Sequence, residues 1–196
     1  MNVKYFGNSC FLISSGKAKL VTNPYDEDVK INLKETNPDI VVASHLNKSI
    51  NNSYYLVSDP GEYEIKDIFI YGYMSDAERE DNFSNIYLFD VEGVYLCYID
   101  KNVGNVKQSI LNEIGMINIL FVSLSNESRI KLQKLVDIVD SIEPQIVIPM
   151  DYNKENLEHF SKILGVKSLE EESRLKVKRS DFTDEEMPIR VVVLKK

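Results

Sequence analysis

The sequence predicts an α/β fold in which layers of β-sheet and helix form a sandwich. Short strands separated by turns fill the first half, and strand–helix units fill the second half. The strands of the second half are apolar without alternation, which is typical of strands covered on both faces. Buried strands with amphipathic helices between them predict a layered sandwich. With 196 residues, 43% of them hydrophobic, the chain can bury a core without disulfides.

The first half is predicted to open with a meander and to continue with hairpins. A polar stretch at residues 30–36 is predicted as a short helix or loop. The turns Asp59-Pro60-Gly61 and Glu92-Gly93 each join two strands. We predict strands, from their β-rich composition, at residues 2–6, 9–14, 18–22, 39–44, 54–58, 63–71, 84–90 and 94–99.

The second half is predicted to alternate helices with buried strands. The helices are expected at 105–114, at 127–142 with Asn126 as N-cap, and at 153–164, which Gly165 ends. Strands are expected at residues 117–124, 146–149, 174–179 and 188–194. No repeat and no linker divides the chain, so we predict a single domain over residues 1–196.

The net charge and the two cysteines indicate which binding partners and which cellular compartment to expect. The chain has 23 basic and 31 acidic residues, and its net charge of −8 disfavours nucleic acid and anionic membranes as partners. The basic residues of 174–179 are predicted to be a solvated strand edge. Cys10 and Cys97 lie in apolar stretches and are predicted to be buried free thiols. With no recognisable export signal or long apolar span, we expect a cytoplasmic protein.

Three polar residues follow buried strands and are the candidate site. His45 follows residues 40–44, Asp100 follows 95–99, and Asp151 follows 146–150. Side chains at strand ends are natural site positions in a layered α/β fold. Imidazole and carboxylate groups are ligands that zinc, manganese and iron accept.

The order of several segments resembles a known family. These segments are YFGNSCFLISSGKAKLVTNPYD, DIVVASHLNKSINN, SDPGEYEI, DVEGVYLCYID, PQIVIPMDY, LKVKRSDF and VVVLKK. Together they resemble the short metallo-β-lactamase-fold hydrolases of the UlaG-like group over nearly the whole chain. The resemblance implies a four-layer αββα sandwich and a lineage of metal-dependent hydrolases.

The metal-binding motif of that family is largely replaced in this chain. The family's His-x-His-x-Asp-His corresponds to His45-Leu46-Asn47-Lys48-Ser49-Ile50, in which only the first histidine remains. The histidine expected near Met74–Ala77 is also absent. Asp100 matches the family's metal-bridging aspartate, and Asp151 stands where the family has its last histidine. Three groups are too few for two metal ions, because one catalytic zinc usually takes three protein ligands.

The sequence therefore leaves three functions open, and for none of them does it assign a catalytic residue. The preferred hypothesis is a binding or interaction homologue without hydrolase activity or cofactor, acting with an unknown partner or as a homo-oligomer. A second is a residual hydrolase with one Zn or Mn ion at His45, Asp100 and Asp151. A third is metal-free binding of a small ligand in the vacated cleft.

Overall fold

A computed structural model describes residues 1–24, 29, 31–44, 53–75, 84–166, 168–183 and 187–196. The strands of the amino-terminal part are β1 (Asn2–Gly7), β2 (Cys10–Ser14), β3 (Lys19–Thr22), β4 (Ile40–Val42), β5 (Tyr55–Val57), β6 (Gly61–Ile65), β7 (Ile68–Met74), β8 (Asn85–Val91) and β9 (Val94–Ile99). The later strands are β10 (Ile119–Ser123), β11 (Ile146–Met150), β12 (Glu170–Glu172), β13 (Leu175–Lys176) and β14 (Arg190–Leu194). The helices are α1 (Leu33–Thr36), α2 (Gln108–Ile114), α3 (Leu132–Ile142) and α4 (Lys154–Ile163), and a 3₁₀ turn spans Arg179–Asp181.

These strands form two sheets that pack face to face. Sheet 1 has the order β13-β1-β2-β3-β4-β5, and sheet 2 has the order β12-β14-β11-β10-β9-β8-β7-β6. The larger core lies between the sheets, where rings such as Phe11, Tyr87 and Phe121 are fully buried. Strands β3 and β4 run parallel in sheet 1, and β9, β10, β11 and β14 run parallel in sheet 2. Their carboxyl ends carry the polar residues discussed below.

Two sheets and four helices in the described part of the chain confirm the predicted α/β sandwich of the metallo-β-lactamase type, and the packed helices cover the outer face of sheet 2. A second core joins the outer face of sheet 2 to α2, α3 and α4. The apolar stripe of α3, which includes Leu135, Val136 and Val139, is buried there because its residues recur at helical spacing. On the side of sheet 1, α1 is a single turn without buried residues. Most of the helix packing in the described residues therefore lies on sheet 2.

Three predicted elements differ from the structure. The expected strand 63–71 is a hairpin, because Lys66 and Asp67 take left-handed backbone angles, with φ of 51° and 60°, and turn the chain. The helix expected from residue 127 begins at Leu132, with Lys131 rather than Asn126 at its N-cap. The strand expected at 174–179 is reduced to the two residues of β13, and β12 was not predicted.

Other features agree with the expectations from sequence. Cys10 and Cys97 are free and buried. Asn153 caps α4 by accepting a hydrogen bond from the Asn156 amide, and Gly165 follows its end with φ of 68°. Among the described residues, none of the helices has the length and apolarity needed to span a membrane.

Candidate functional site

A buried polar cluster lies where the carboxyl ends of both sheets meet. Asn23 follows β3, Ser44 lies two residues after β4, Ser84 precedes β8, and Asp100 follows β9. Each of these residues is at most 4% exposed, and Asp100 is 1% exposed. A buried carboxylate must be hydrogen-bonded or paired to be tolerated. Its partners therefore define the chemistry of the cluster.

From the described residues, the Asp100 carboxylate accepts four hydrogen bonds, and all four donors are neutral. Its Oδ2 accepts from Asn23 Nδ2 at 3.1 Å and from the Ser44 hydroxyl. Its Oδ1 accepts from the Asn102 backbone N–H at 2.8 Å and from the Ser84 hydroxyl at 3.2 Å. A carboxylate can accept about four hydrogen bonds, one at each lone-pair site, so these four donors occupy all of its acceptor sites.

Two of these donors cannot turn away from Asp100. The Asn102 donor is a backbone N–H, whose direction is set by the main chain. The Asn23 amide is oriented by its own oxygen, which accepts the Ser44 backbone N–H at 2.8 Å. Each carboxylate oxygen thus has one fixed N–H donor, and an N–H group cannot act as a metal ligand. With the Ser44 and Ser84 hydroxyls on the remaining lone pairs, the described donors leave Asp100 no open position for the metal-bridging role that the family resemblance implies.

Asp151 lies at the neighbouring edge, after β11. Its φ of 52° is left-handed, a conformation that aspartate tolerates better than most residues. Its Oδ2 accepts from the Ser9 hydroxyl at 2.8 Å and from the Ser123 hydroxyl at 3.2 Å. The Asp151 side chain is half-buried, whereas that of Asp100 is buried. The Ser9 and Ser123 donors are hydroxyls, which can rotate.

Tyr98 and Ser9 connect the two carboxylates. The Tyr98 hydroxyl accepts from Asn23 Nδ2 at 2.9 Å and donates to the Ser9 carbonyl at 2.6 Å, and the Ser9 hydroxyl donates to Asp151. Burial, with smaller effects of Asp100 and Asp151, raises the pKa of Tyr98 well above its usual range. Tyr98 therefore stays protonated at neutral pH and acts as a structural donor.

A cavity of about 670 Å³ opens beside Asp151. Its charged groups are mixed in sign, because Lys101 pairs with Glu127 at 3.2 Å on one side and Lys195 pairs with Glu171 near the other. The lining comprises Tyr5, Asn8, Lys101, Ser125, Asn126, Glu127, Asp151, Tyr152, Asn153, Leu194, Lys195 and Lys196. A polar cavity of this size can take a small polar molecule.

The structure brings two of the three predicted site residues into one hydrogen-bonded network. Asp100 and Asp151 share that network, whereas His45 lies outside the described residues, as do the positions 46–50 that replace the family's motif. His159 is exposed on α4. Within the described ranges, no group of three or more His, Cys, Asp and Glu side chains is arranged to hold a metal ion.

Sequence reasoning did not identify the donors of the network. Ser9, Asn23 and Ser84 are small polar residues beside strand ends, a position that they share with many turn residues. The available signal was that several such residues follow strands whose ends meet at the same edge.

The fold and the strand-end carboxylates define a protein of the metallo-β-lactamase fold. The model of a family described as "Beta-lactamase superfamily domain" matches residues 2–151, so the chain belongs to that family. A UPF0173 protein of Pyrococcus abyssi is 23% identical to this chain, over 78% of this chain and 83% of the relative.

Solved structures share the fold at low sequence identity. A protein of Thermotoga maritima, proposed to be a Zn-dependent hydrolase of the metallo-β-lactamase superfamily, matches with a TM-score of 0.77 and 23% identity, covering 98% of this chain and 97% of its own. Igni18, a metallo hydrolase of Ignicoccus hospitalis, matches with a TM-score of 0.63 and 13% identity, covering 85% of this chain and 90% of its own. At these identities the likeness establishes the fold and leaves the activity to be argued from the site.

Proposed function

We propose that this chain is a metal-free member of the metallo-β-lactamase superfamily that acts by binding rather than by hydrolysis. The relatives indicate a lineage of metal-dependent hydrolases. In this chain, the residue matching the bridging aspartate serves as an internal hydrogen-bond acceptor. The two buried free thiols agree with a reducing cytoplasm as its location.

One observation carries the proposal, namely the saturation of Asp100. Both carboxylate oxygens receive an N–H hydrogen bond whose direction is fixed, from Asn23 and Asn102. The other lone pair of each oxygen accepts a serine hydroxyl, from Ser44 or Ser84, so a metal ion would have to displace a hydrogen bond to a charged group, at about 1.5–3 kcal/mol each. The motif that would supply compensating ligands retains only His45.

Metal content and thermal stability test the proposal together. Untagged protein purified without chelator is analysed for zinc, manganese and iron, and its unfolding temperature is measured with EDTA and with added zinc. We expect well under one metal ion per chain and an unfolding temperature that neither treatment changes. A ligand that binds only the native state must raise its stability, so a folded protein insensitive to both treatments holds no metal.

The residual hydrolase with a site of His45, Asp100 and Asp151 predicts the opposite result. About one equivalent of metal, lost in Asp151→Ala and accompanied by turnover of a chromogenic phosphodiester or lactone, would overturn the proposal. Asp137→Ala, on the exposed side of α3, is the matched control, because it removes one carboxylate remote from the strand ends.

The cavity beside Asp151 favours a small polar molecule as one ligand of such a binding protein. It offers carboxylate, amide and ammonium groups around one space of about 670 Å³. A thermal-shift screen of phosphorylated and acidic metabolites tests this second candidate. Stabilisation that Asp151→Asn and Lys101→Met both weaken would support the cavity as the binding site. Stabilisation unchanged in both variants would exclude it.

A further inference from the structure

A row of acidic and aromatic residues crosses the outer face of sheet 2 at one end. Glu64 lies opposite Phe69, Phe69 lies opposite Asp90, and Asp90 lies opposite Tyr95 in the antiparallel register of β6, β7, β8 and β9. Directly opposite residues share a face of the sheet. We call these four residues, with Glu62 one pleat further along β6, the acidic–aromatic face.

This face points away from the core between the sheets. The neighbours of Phe69 along β7, Ile68 and Ile70, belong to that core, and side chains alternate along a strand. On the outer face, Leu88 and Cys97 are buried with the helices, whereas Phe69 is 38% exposed and Tyr95 is 40% exposed. The helix layer thus leaves two large rings of this row partly open to solvent.

The carboxylates of the face have no cationic partner among the described residues. Glu62 and Glu64 are exposed and form no ion pair there, and Asp90 accepts a hydrogen bond from the Gly93 N–H only. The opposite edge of the same sheet differs. There Glu170 and Glu171 of β12 pair with Arg190 of β14 and with Lys195, which directly follows β14. Within the described ranges, the acidic–aromatic face therefore combines carboxylates that form no ion pair with partly exposed rings.

We propose that the acidic–aromatic face docks an extended, arginine-containing segment of a partner protein. A guanidinium group forms charge-assisted hydrogen bonds with carboxylates and also stacks on aromatic rings. Phe69 and Tyr95 stand on strands two positions apart, at a backbone separation of about 10 Å. A guanidinium above Asp90 would stand over the strand between them, about 5 Å from each of the two neighbouring strands, and cation–π attraction reaches ~6 Å.

The charge of the whole chain agrees with a basic partner. A net charge of −8 attracts a cationic segment over a distance of about a Debye length and raises its rate of encounter. The inference does not depend on whether the strand-end site is metal-free, because that site and the acidic–aromatic face use different residues.

Fluorescence anisotropy with a labelled peptide of alternating arginine and valine tests the inference. We expect saturable binding to the full chain that weakens as salt is raised, and no binding of the same peptide with glutamate in place of arginine. Asp90→Asn keeps an acceptor for the Gly93 N–H, and Phe69→Ala removes one exposed ring. We expect each variant to bind about fivefold more weakly or worse.

The matched control is Asp137→Asn on α3, which makes the same change in net charge on an exposed surface elsewhere. Equal weakening in Asp137→Asn and Asp90→Asn would show that only net charge matters and would overturn the proposal. Phe69→Ala binding like the wild type would also overturn it. Sedimentation equilibrium gives a further check, because self-association that Asp90→Asn abolishes would assign the face to a second copy of this chain instead.

Discussion

Replacing Asp100 by asparagine tests the interpretation of the strand-end site most directly. The change keeps the shape of the side chain but turns one acceptor oxygen into an amide donor. Whichever way the new amide is oriented, its NH₂ group faces one of the fixed donors, Asn23 Nδ2 or the Asn102 N–H. Asn23 cannot flip without losing the hydrogen bond from the Ser44 N–H.

The size of the effect follows from these contacts. The variant loses one hydrogen bond to a charged acceptor, about 1.5–3 kcal/mol, while Asn23 Nδ2 keeps the Ser44 and Tyr98 hydroxyls as acceptors. We therefore expect the free energy of unfolding to fall by about 1.5–3 kcal/mol. For a chain of this length, that lowers the unfolding temperature by about 3–12 °C. Circular dichroism with thermal and urea denaturation measures both quantities.

Asp151→Asn is the matched control. The Ser9 and Ser123 hydroxyls that donate to it can rotate to accept from the new amide, and Asp151 is half-buried. We expect a loss of about 1 kcal/mol or less. The reasoning fails if Asp100→Asn is as stable as the wild type, or if EDTA lowers the unfolding temperature of the wild type as much as the substitution does.

Three further predictions rest on other parts of the fold. The Arg190 guanidinium holds the pKa of Glu170 below its usual range, so this ion pair stabilises the fold at pH values above the ordinary glutamate pKa. That stabilisation is lost as the pH falls through the lowered pKa. Glu170→Gln should therefore be less stable than the wild type at pH 7 and flatten the loss of stability on acidification, which urea denaturation at several pH values measures. Burial raises the pKa of the Cys97 thiol to about 12, so a thiol reagent at pH 8 should label it only on unfolding; fast labelling of the native protein would contradict its burial. A Cβ added at Gly72 would lie 3.0 Å from both the Asp59 carbonyl and the Tyr87 ring, so Gly72→Ala should lose about 1–3 kcal/mol, and an unchanged urea midpoint would refute this close approach.

The sequence predicts the buried strands well because their pattern is local. The apolar runs of β4, β10 and β11 lack alternation, as strands covered on both faces do. The β6–β7 hairpin was missed because its turn residues, Lys66 and Asp67, include no glycine or proline, which are the strongest local turn signals. The predicted start of α3, with Asn126 as N-cap, was wrong. The Asn126 side chain accepts a hydrogen bond from the Asn156 side chain of α4 at 2.7 Å and does not cap α3.

The strand-end site could be predicted only in part, because its partners are distant in sequence. Asp100 and Asp151 were identified from their positions after strands, but the donors to Asp100 include Asn23, 77 residues away. No local pattern indicates that an amide on sheet 1 and a carboxylate on sheet 2 will meet. Register and sheet packing decide such contacts, and a single sequence does not specify them.

If the strand-end site is metal-free, as proposed, the position of Asp100 explains what stabilises this edge of the fold. Metal ligands drawn from several strands couple binding to folding, so losing the metal leaves buried polar groups without partners. Here the Asp100 carboxylate, on sheet 2, accepts from Asn23 and Ser44, which follow strands of sheet 1. The hydrogen bonds thus join the two sheets at this edge. On the same proposal, the contacts that stabilise the edge also occupy the lone pairs of Asp100, so stability without metal and the absence of metal binding would share one cause.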